Sequence, residues 1–158
     1  MGSARKRGRR LLHLLLITPP YLYAVKRKGT TVAPPLGILY IAAYCLKRGF
    51  NVKFIDCEAD GLGFDPRKPD KEKVHLLMRI ISLLSPLVVG IGPCITDTIH
   101  SWVFLSRIVK KACQNSIVVV GGPHVSVPGM AELVLKMIPT IDVVVIGEGE
   151  ETMESKRG

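Results

Sequence analysis

Residues 117–124 read IVVVGGPH, and the fold is decided there. Four β-branched apolar residues run without interruption into two glycines. A strand with one wet face alternates apolar and polar residues; a continuous apolar run suits a strand buried on both faces of a parallel sheet. Gly121 and Gly122 remove Cβ where the strand ends, so the backbone can take unusual angles or lie against a ligand. Residues 141–150, IDVVVIGEGE, repeat the design. Two buried strands that both end in glycine point to one ligand along their carboxyl ends, the edge at which open α/β sheets bind.

Working outward, residues 13–17 form a first strand, stopped by Thr18-Pro19-Pro20-Tyr21 because proline cannot continue a central ladder. A loop with Lys26, Arg27, Lys28 and Gly29 follows, long enough at a carboxyl edge to be a binding loop. Pro35 opens a helix over 36–48 that is apolar nearly all round and is expected to lie against the sheet; Lys47, Arg48 and Gly49 suit its end. Residues 50–56 make strand two. Asp70 is placed to cap a second helix with Val74, Leu77, Met78 and Ile81 on one face. Pro86 ends it, and residues 87–91 make strand three, closed by Gly92-Pro93. Thr96 or Asp97 caps a third helix, whose stripe Trp102, Leu105, Val109 and Ala112 is core packing. Asn115 or Ser116 turns the chain into strand four. Ser126 is placed to cap a fourth helix with Ala131, Val134, Leu135 and Ile138 as its apolar stripe, and Pro139 stops it before strand five. Strands alternating with helices imply right-handed crossovers and an α/β fold. The expectation is a flavodoxin-like (Rossmann-like) parallel sheet of five strands, order 2-1-3-4-5, with helices on both faces.

The 158 residues suffice for one domain with a core, here residues 11–154, and the formal net charge is +9. Five positive residues (Arg5, Lys6, Arg7, Arg9, Arg10) fall in the first ten, read as a basic flexible tail. No basic stripe interleaved with aromatics follows, so nucleic acid is an unlikely partner. No apolar run reaches the roughly 18 to 20 residues that cross a bilayer. The start resembles a secretory leader only superficially, since its apolar run is short, contains His13 and meets Thr18-Pro19-Pro20 without a small-residue cleavage site. Cys45, Cys57, Cys94 and Cys113 are widely spaced, with no CxxC or Cys/His pattern, and read as buried thiols of a cytoplasmic protein.

In a 2-1-3-4-5 sheet the ends of strands one, three, four and five are neighbours. They read TPPY, GPCIT, GGPH and GEGE. Such a rim offers backbone N–H and C=O groups to a large flat ligand, and the helix starts at Pro35, Thr96 and Ser126 could receive an anion. It is a cofactor cradle with few charged side chains. No G-x-G-x-x-G follows strand one, no Walker A motif or G-x-S-x-G elbow is present, and a receiver domain would want acidic residues where TPP stands.

Together, TPP after strand one, PPLGILYIAAYCLKRGF, VVVGGPHVS and IDVVVIGEGEET resemble the cobalamin (B12)-binding domain of radical S-adenosylmethionine enzymes. The nearest subfamily includes the magnesium-protoporphyrin oxidative cyclases and class B methyltransferases. The resemblance covers about residues 14–153. It implies a domain gripping the lower face of cobalamin, with the nucleotide tail between the sheet and the helix after GGPH. Carried over residue by residue, Thr18, Pro19, Pro20 and Tyr21 form the first loop. Gly92, Pro93, Cys94 and Thr96 form the third-strand loop, and Gly121, Gly122, Pro123 and His124 line the tail slot. Gly147, Glu148, Gly149 and Glu150 close the rim.

Two departures shape the expectation. Cobalamin mutases carry Asp-x-His-x-x-Gly after strand one, whose His binds cobalt; TPPY offers no imidazole, so the resemblance implies base-off cobalamin without a protein His ligand from that loop. The family's CxxxCxxC motif, which holds an iron–sulfur cluster, is absent from these residues. Cluster and S-adenosylmethionine are therefore expected in a catalytic domain, in cis or in trans, with residues 155–158 a tail or truncated linker. No residue of this chain is expected to be catalytic or to ligate a metal. His124 is read either as a hydrogen bond to the cofactor or as support for its own turn; His13, His75 and His100 read as structural or solvated. Glu148, Glu150 and Glu151 read as electrostatic supports. The alternatives are a flavodoxin-like domain for a flavin or nucleotide, or a ligand-free interaction domain.

Overall fold

The computed structural model describes residues 11–21 and 34–147. Five parallel strands, β1 (Leu14–Thr18), β2 (Val52–Asp56), β3 (Val88–Ile91), β4 (Ile117–Gly121) and β5 (Val143–Val145), lie in the order β2-β1-β3-β4-β5. Four helices connect them: α1 (Leu36–Lys47), α2 (Lys71–Leu84), α3 (Ile99–Ala112) and α4 (Met130–Met137). The flavodoxin-like order expected from the sequence is the order observed. No described helix is long and apolar enough to cross a membrane.

Register divides the sheet into two unlike faces. Leu14 stands beside Val52 and Val88, Leu16 beside Gly90, Gly90 beside Val119, and Gly121 beside Val145, so these side chains leave one face. Leu15, Ile17, Val89, Ile91, Val118 and Val120 leave the other. There they join Leu77 and Ile81 of α2, Trp102, Leu105 and Val109 of α3 and Val134 of α4 in one core. Each fully buried Leu or Ile of that layer contributes roughly 1.5–3 kcal/mol. The first face carries a smaller cluster, in which Leu14 and Leu16 meet Ile38, Ala42 and Cys45 of α1.

Helix α1 runs from Pro35 to its cap at Arg48, with Gly49 at φ +83 releasing the chain. It buries only one stripe. Helix α1 lies against the sheet as expected, on that one stripe, while Leu36 is 74% exposed, Tyr40 64% and Leu46 54%. Asp70 caps α2, its carboxylate accepting from the N–H groups of Glu72 and Lys73. The connection before it is less polar than its sequence reads: Cys57, Leu62 and Phe64 are buried in the larger core.

Two caps differ from expectation. Neither Thr96 nor Asp97 caps α3; a single 3₁₀ turn, Thr96–Thr98, precedes it, and Thr98 donates its hydroxyl to the Ile95 carbonyl instead. Ser126 does not cap α4, which begins only after Gly129 at φ +77, because Val127-Pro128-Gly129 turns the chain first. Leu135, expected on the buried stripe, is 43% exposed. Strand β5 is three residues long. Asp142 just before it takes the Val118 N–H with its carboxylate, and Gly147 at φ +76 breaks the chain beyond it.

Candidate functional site

A cavity of about 290 Å³ opens at the carboxyl edge on the α1 side of the sheet. Its floor is Leu16, Gly90, Val119, Gly121 and Val145, one residue or two from each of four strands. Gly37, Ile38 and Ile41 of α1 form the wall. Gly92, Pro93, Gly122, Pro123 and Gly147 form the mouth. The lining is apolar side chain and bare backbone, and among the described lining residues none carries a charge.

The cavity lies between the sheet and α1, while α4, the helix after GGPH, covers the opposite face. Six of the expected residues line it: Gly92, Pro93, Gly121, Gly122, Pro123 and Gly147. Leu16, Gly37, Ile38, Ile41, Gly90, Ile91, Val119 and Val145 were not foreseen. The signal for two of them was in the sequence. A glycine inside a strand, Gly90, marks close approach of something to the backbone, and a glycine in the first turn of a helix, Gly37, gives up helix propensity without a local reason.

The remaining expected residues lie elsewhere. Thr18 is 1% exposed, on the same face as Leu16 and one pleat further, and its Oγ1 has no partner. Tyr21, behind Pro19 and Pro20, donates its N–H to Glu58 Oε1 at 2.9 Å. Burial pushes the Glu58 carboxyl up and Asp56 adds to it, against the Tyr21 N–H and the Lys73 charge. Burial, then Asp56 and Glu58, push the Tyr21 phenol up. The first loop is thus tied to the acidic turn after β2. Cys94 is buried in the larger core with its thiol on the Ile91 carbonyl. Thr96 is paired with His124, whose ring is turned toward Trp102. Glu148, Gly149 and Glu150 lie outside the described residues, as do the basic tail, Lys26, Arg27 and Lys28.

Gly122 explains its own position. It has φ +135, and a Cβ there would meet the Cys94 N at 2.5 Å and the Cys94 O at 2.9 Å. The close approach is between two loops of the chain, so this glycine is required by the fold whether or not a ligand is near. Gly37 is the opposite case: a Cβ there meets nothing within 4 Å, and the space it would enter is the cavity.

A parallel α/β domain with a side-chain-poor cleft at the carboxyl edge is a ligand-binding domain of the flavodoxin-like class. The chain belongs to the B12-binding domain family, whose model matches residues 24–156. It is 34% identical over 145 residues to an uncharacterized methyltransferase of Pyrococcus horikoshii, covering 92% of this chain and 28% of the relative. To an anaerobic magnesium-protoporphyrin IX monomethyl ester cyclase of Rubrivivax gelatinosus it is 33% identical over 146 residues, 90% of this chain and 23% of the relative. To a cytidylyl-2-hydroxyethylphosphonate methyltransferase of Streptomyces wedmorensis it is 28% identical over 126 residues, 75% and 23%. Methyltransferase and cyclase are the two groups the sequence resembled. The chain spans about a quarter of the length of the curated relatives it matches.

Proposed function

We propose that residues 11–154 are the cobalamin-binding module of a B12-dependent radical S-adenosylmethionine enzyme. In this reading the cavity beside α1 receives one arm of the corrinoid. The cavity itself carries the reading. At about 290 Å³ it is at the low end of the ~300–1,000 Å³ typical of small-molecule pockets. It suits an aromatic base and its linker, and a corrin macrocycle must lie outside it, over the glycine- and proline-rich edge. The fit is favourable on this chain's own atoms: apolar walls, side-chain-free backbone at Gly90 and Gly121 in the lining, and open space in front of Gly37.

When bound, cobalamin supplies a cobalt centre that carries a methyl group or takes part in radical chemistry. The chain's residues exclude water from the inserted arm and offer backbone groups to the edge of the macrocycle. No histidine is among the described lining residues. His13 accepts the Asn51 N–H far from the mouth, and His124 faces Trp102. The Thr18-Pro19-Pro20-Tyr21 loop carries no imidazole, and the reading takes the cofactor base-off without a protein His from that loop. The catalytic domain, with its iron–sulfur cluster and S-adenosylmethionine, is supplied in cis or in trans; relatives named as methyltransferases and a cyclase, four times longer than the match, support that partnership.

The test compares wild type with Gly37→Leu. Each is mixed with hydroxocobalamin, or with flavin mononucleotide in parallel, and desalted. Wild type should keep a corrinoid spectrum and no flavin. The leucine should fill the cavity and abolish retention with circular dichroism unchanged, since replacing a helical glycine favours the helix by up to about 1 kcal/mol. Full retention by folded Gly37→Leu, or retention of flavin in place of corrinoid, overturns the reading. Reduced, bound cob(II)alamin should show no nitrogen superhyperfine splitting in electron paramagnetic resonance; a clear splitting refutes the base-off assignment.

A further inference from the structure

The mouth of the cavity is built from residues that cannot hold themselves in place. Gly92 and Pro93 come from the loop after β3, Gly122 and Pro123 from the loop after β4, and Gly147 from the loop after β5. Glycine adds backbone freedom and no side-chain contact. What ties these lips together is the turn that follows Pro123. His124 donates its N–H to the Cys94 carbonyl at 3.0 Å, and its Nδ1 lies 3.0 Å from Thr96 Oγ1. Ser126 donates its hydroxyl to the Gly122 carbonyl at 3.0 Å and accepts the Gly147 N–H at 3.2 Å. Cys94 closes the arrangement by donating its N–H to the Gly121 carbonyl at 2.8 Å.

We infer that His124 and Ser126 are positioning residues that set the width of the cavity mouth. His124 locks the β4 lip to the β3 lip through Thr96, and Ser126 locks it to the β5 lip through the Gly147 amide. The inference rests on the cavity being the corrinoid site. It is carried by the way the ring is placed. His124 Nε2 and the neighbouring Trp102 Nε1 are both buried without a partner, with ring centroids 6.0 Å apart. A buried polar atom left unpaired is unfavourable, and an apolar ring of the same shape would avoid the loss. What the imidazole supplies and an apolar ring cannot is Nδ1, aimed at Thr96. Among the described residues this is the side-chain pair that joins the β3 and β4 lips.

The test uses variants that keep or remove single atoms. His124→Asn keeps a polar atom near Nδ1; His124→Leu fills the space without it. Ser126→Thr keeps the hydroxyl and Ser126→Ala removes it. Thr96→Val cuts the His124 bond from the other side, which covers the case in which His124→Leu fails to fold. In the ligand-free protein, hydrogen exchange at the His124 amide in the Leu and Val variants, and at the Gly147 amide in the Ala variant, should quicken about three- to tenfold, the effect of one lost hydrogen bond. The Asn and Thr variants should stay near wild type. With hydroxocobalamin loaded, release should quicken by the same factor, and Thr96→Val with His124→Leu together should be no faster than either alone. Unchanged exchange at the lips in the Leu and Ala variants overturns the inference, as does a strictly additive double variant. If wild type retains no corrinoid, the cofactor reading alone fails, and the exchange measurement still decides what His124 and Ser126 do.

Discussion

At the scale of single residues, the two glycines of GGPH are not equivalent. A Cβ on Gly121 would touch only Val145, at 3.6 Å, an ordinary contact. A Cβ on Gly122 would collide with the Cys94 backbone and force a side chain onto φ +135. Gly121→Ala should therefore change stability by less than about 1 kcal/mol, whereas Gly122→Ala should cost about 2–4 kcal/mol. Urea denaturation of both variants checks the difference; equal losses would mean that the glycines act together. The sequence showed that glycine was needed at this strand end and not why. Whether a loop side chain leaves toward a ligand or toward the chain depends on a neighbouring loop, here that of Cys94 and Thr96, which is distant in sequence: Thr96 and His124 are 28 residues apart. His124 could be read either way for the same reason, and the structure turns it inward.

At the scale of elements, strands were legible because burial on both faces leaves an unbroken apolar run, as in β4. Helix starts were legible where one side chain does the capping. Asp70 is such a case, its Oδ1 accepting the Glu72 N–H at 3.0 Å and the Lys73 N–H at 3.3 Å. Asp70→Ala should lower stability by about 1 kcal/mol, with a reduced urea midpoint and an unchanged slope. No loss would place the cap elsewhere. Ser126 and Thr96 misled because a hydroxyl ahead of an apolar stripe has the sequence of a cap whether it bonds its own helix or another loop. Helix α1 was placed rightly against the sheet. Its composition is apolar all round, yet the sheet offers it one stripe, so composition alone overstates its burial.

For the molecule as a whole, the four cysteines sit in separate places: Cys45 in α1, Cys57 after β2, Cys94 after β3 and Cys113 at the end of α3. Among the described residues no group of metal-binding side chains converges. Burial, with Asp56, Glu58 and Asp60 adding to it, pushes the Cys57 thiol up to about 12. Burial does the same for Cys94, to about 12, partly offset by the Gly121 N–H. Both values are raised above the ordinary 9.0. The folded state thus holds two protons that the unfolded chain releases. That stability is fully present below pH 9 and is lost as pH rises toward 12. Equilibrium unfolding between pH 8 and 11 should show a falling midpoint, and native labelling with a thiol reagent at pH 8 should leave Cys57 and Cys94 unmodified. Rapid native labelling at either position would contradict their burial. Anaerobic reconstitution with iron and sulfide should likewise yield no stoichiometric [4Fe–4S] cluster on this chain alone.

The unequal cores on the two faces of the sheet bear on how fast the cavity can fill. Leu16 and Ile38 belong both to the small cluster under α1 and to the cavity lining. Among the described residues, the element that walls the site is therefore held by the smaller of the two layers. Local opening of a protein follows its least anchored unit, at a free energy below that of global unfolding. On the proposed reading, a bulky arm entering the cavity can wait for α1 to lift, and loading then proceeds at the frequency of that excursion. Urea well below the unfolding midpoint would speed uptake of the arm while leaving the final occupancy almost unaltered, the mark of a door hung on the side where the wall is thinnest.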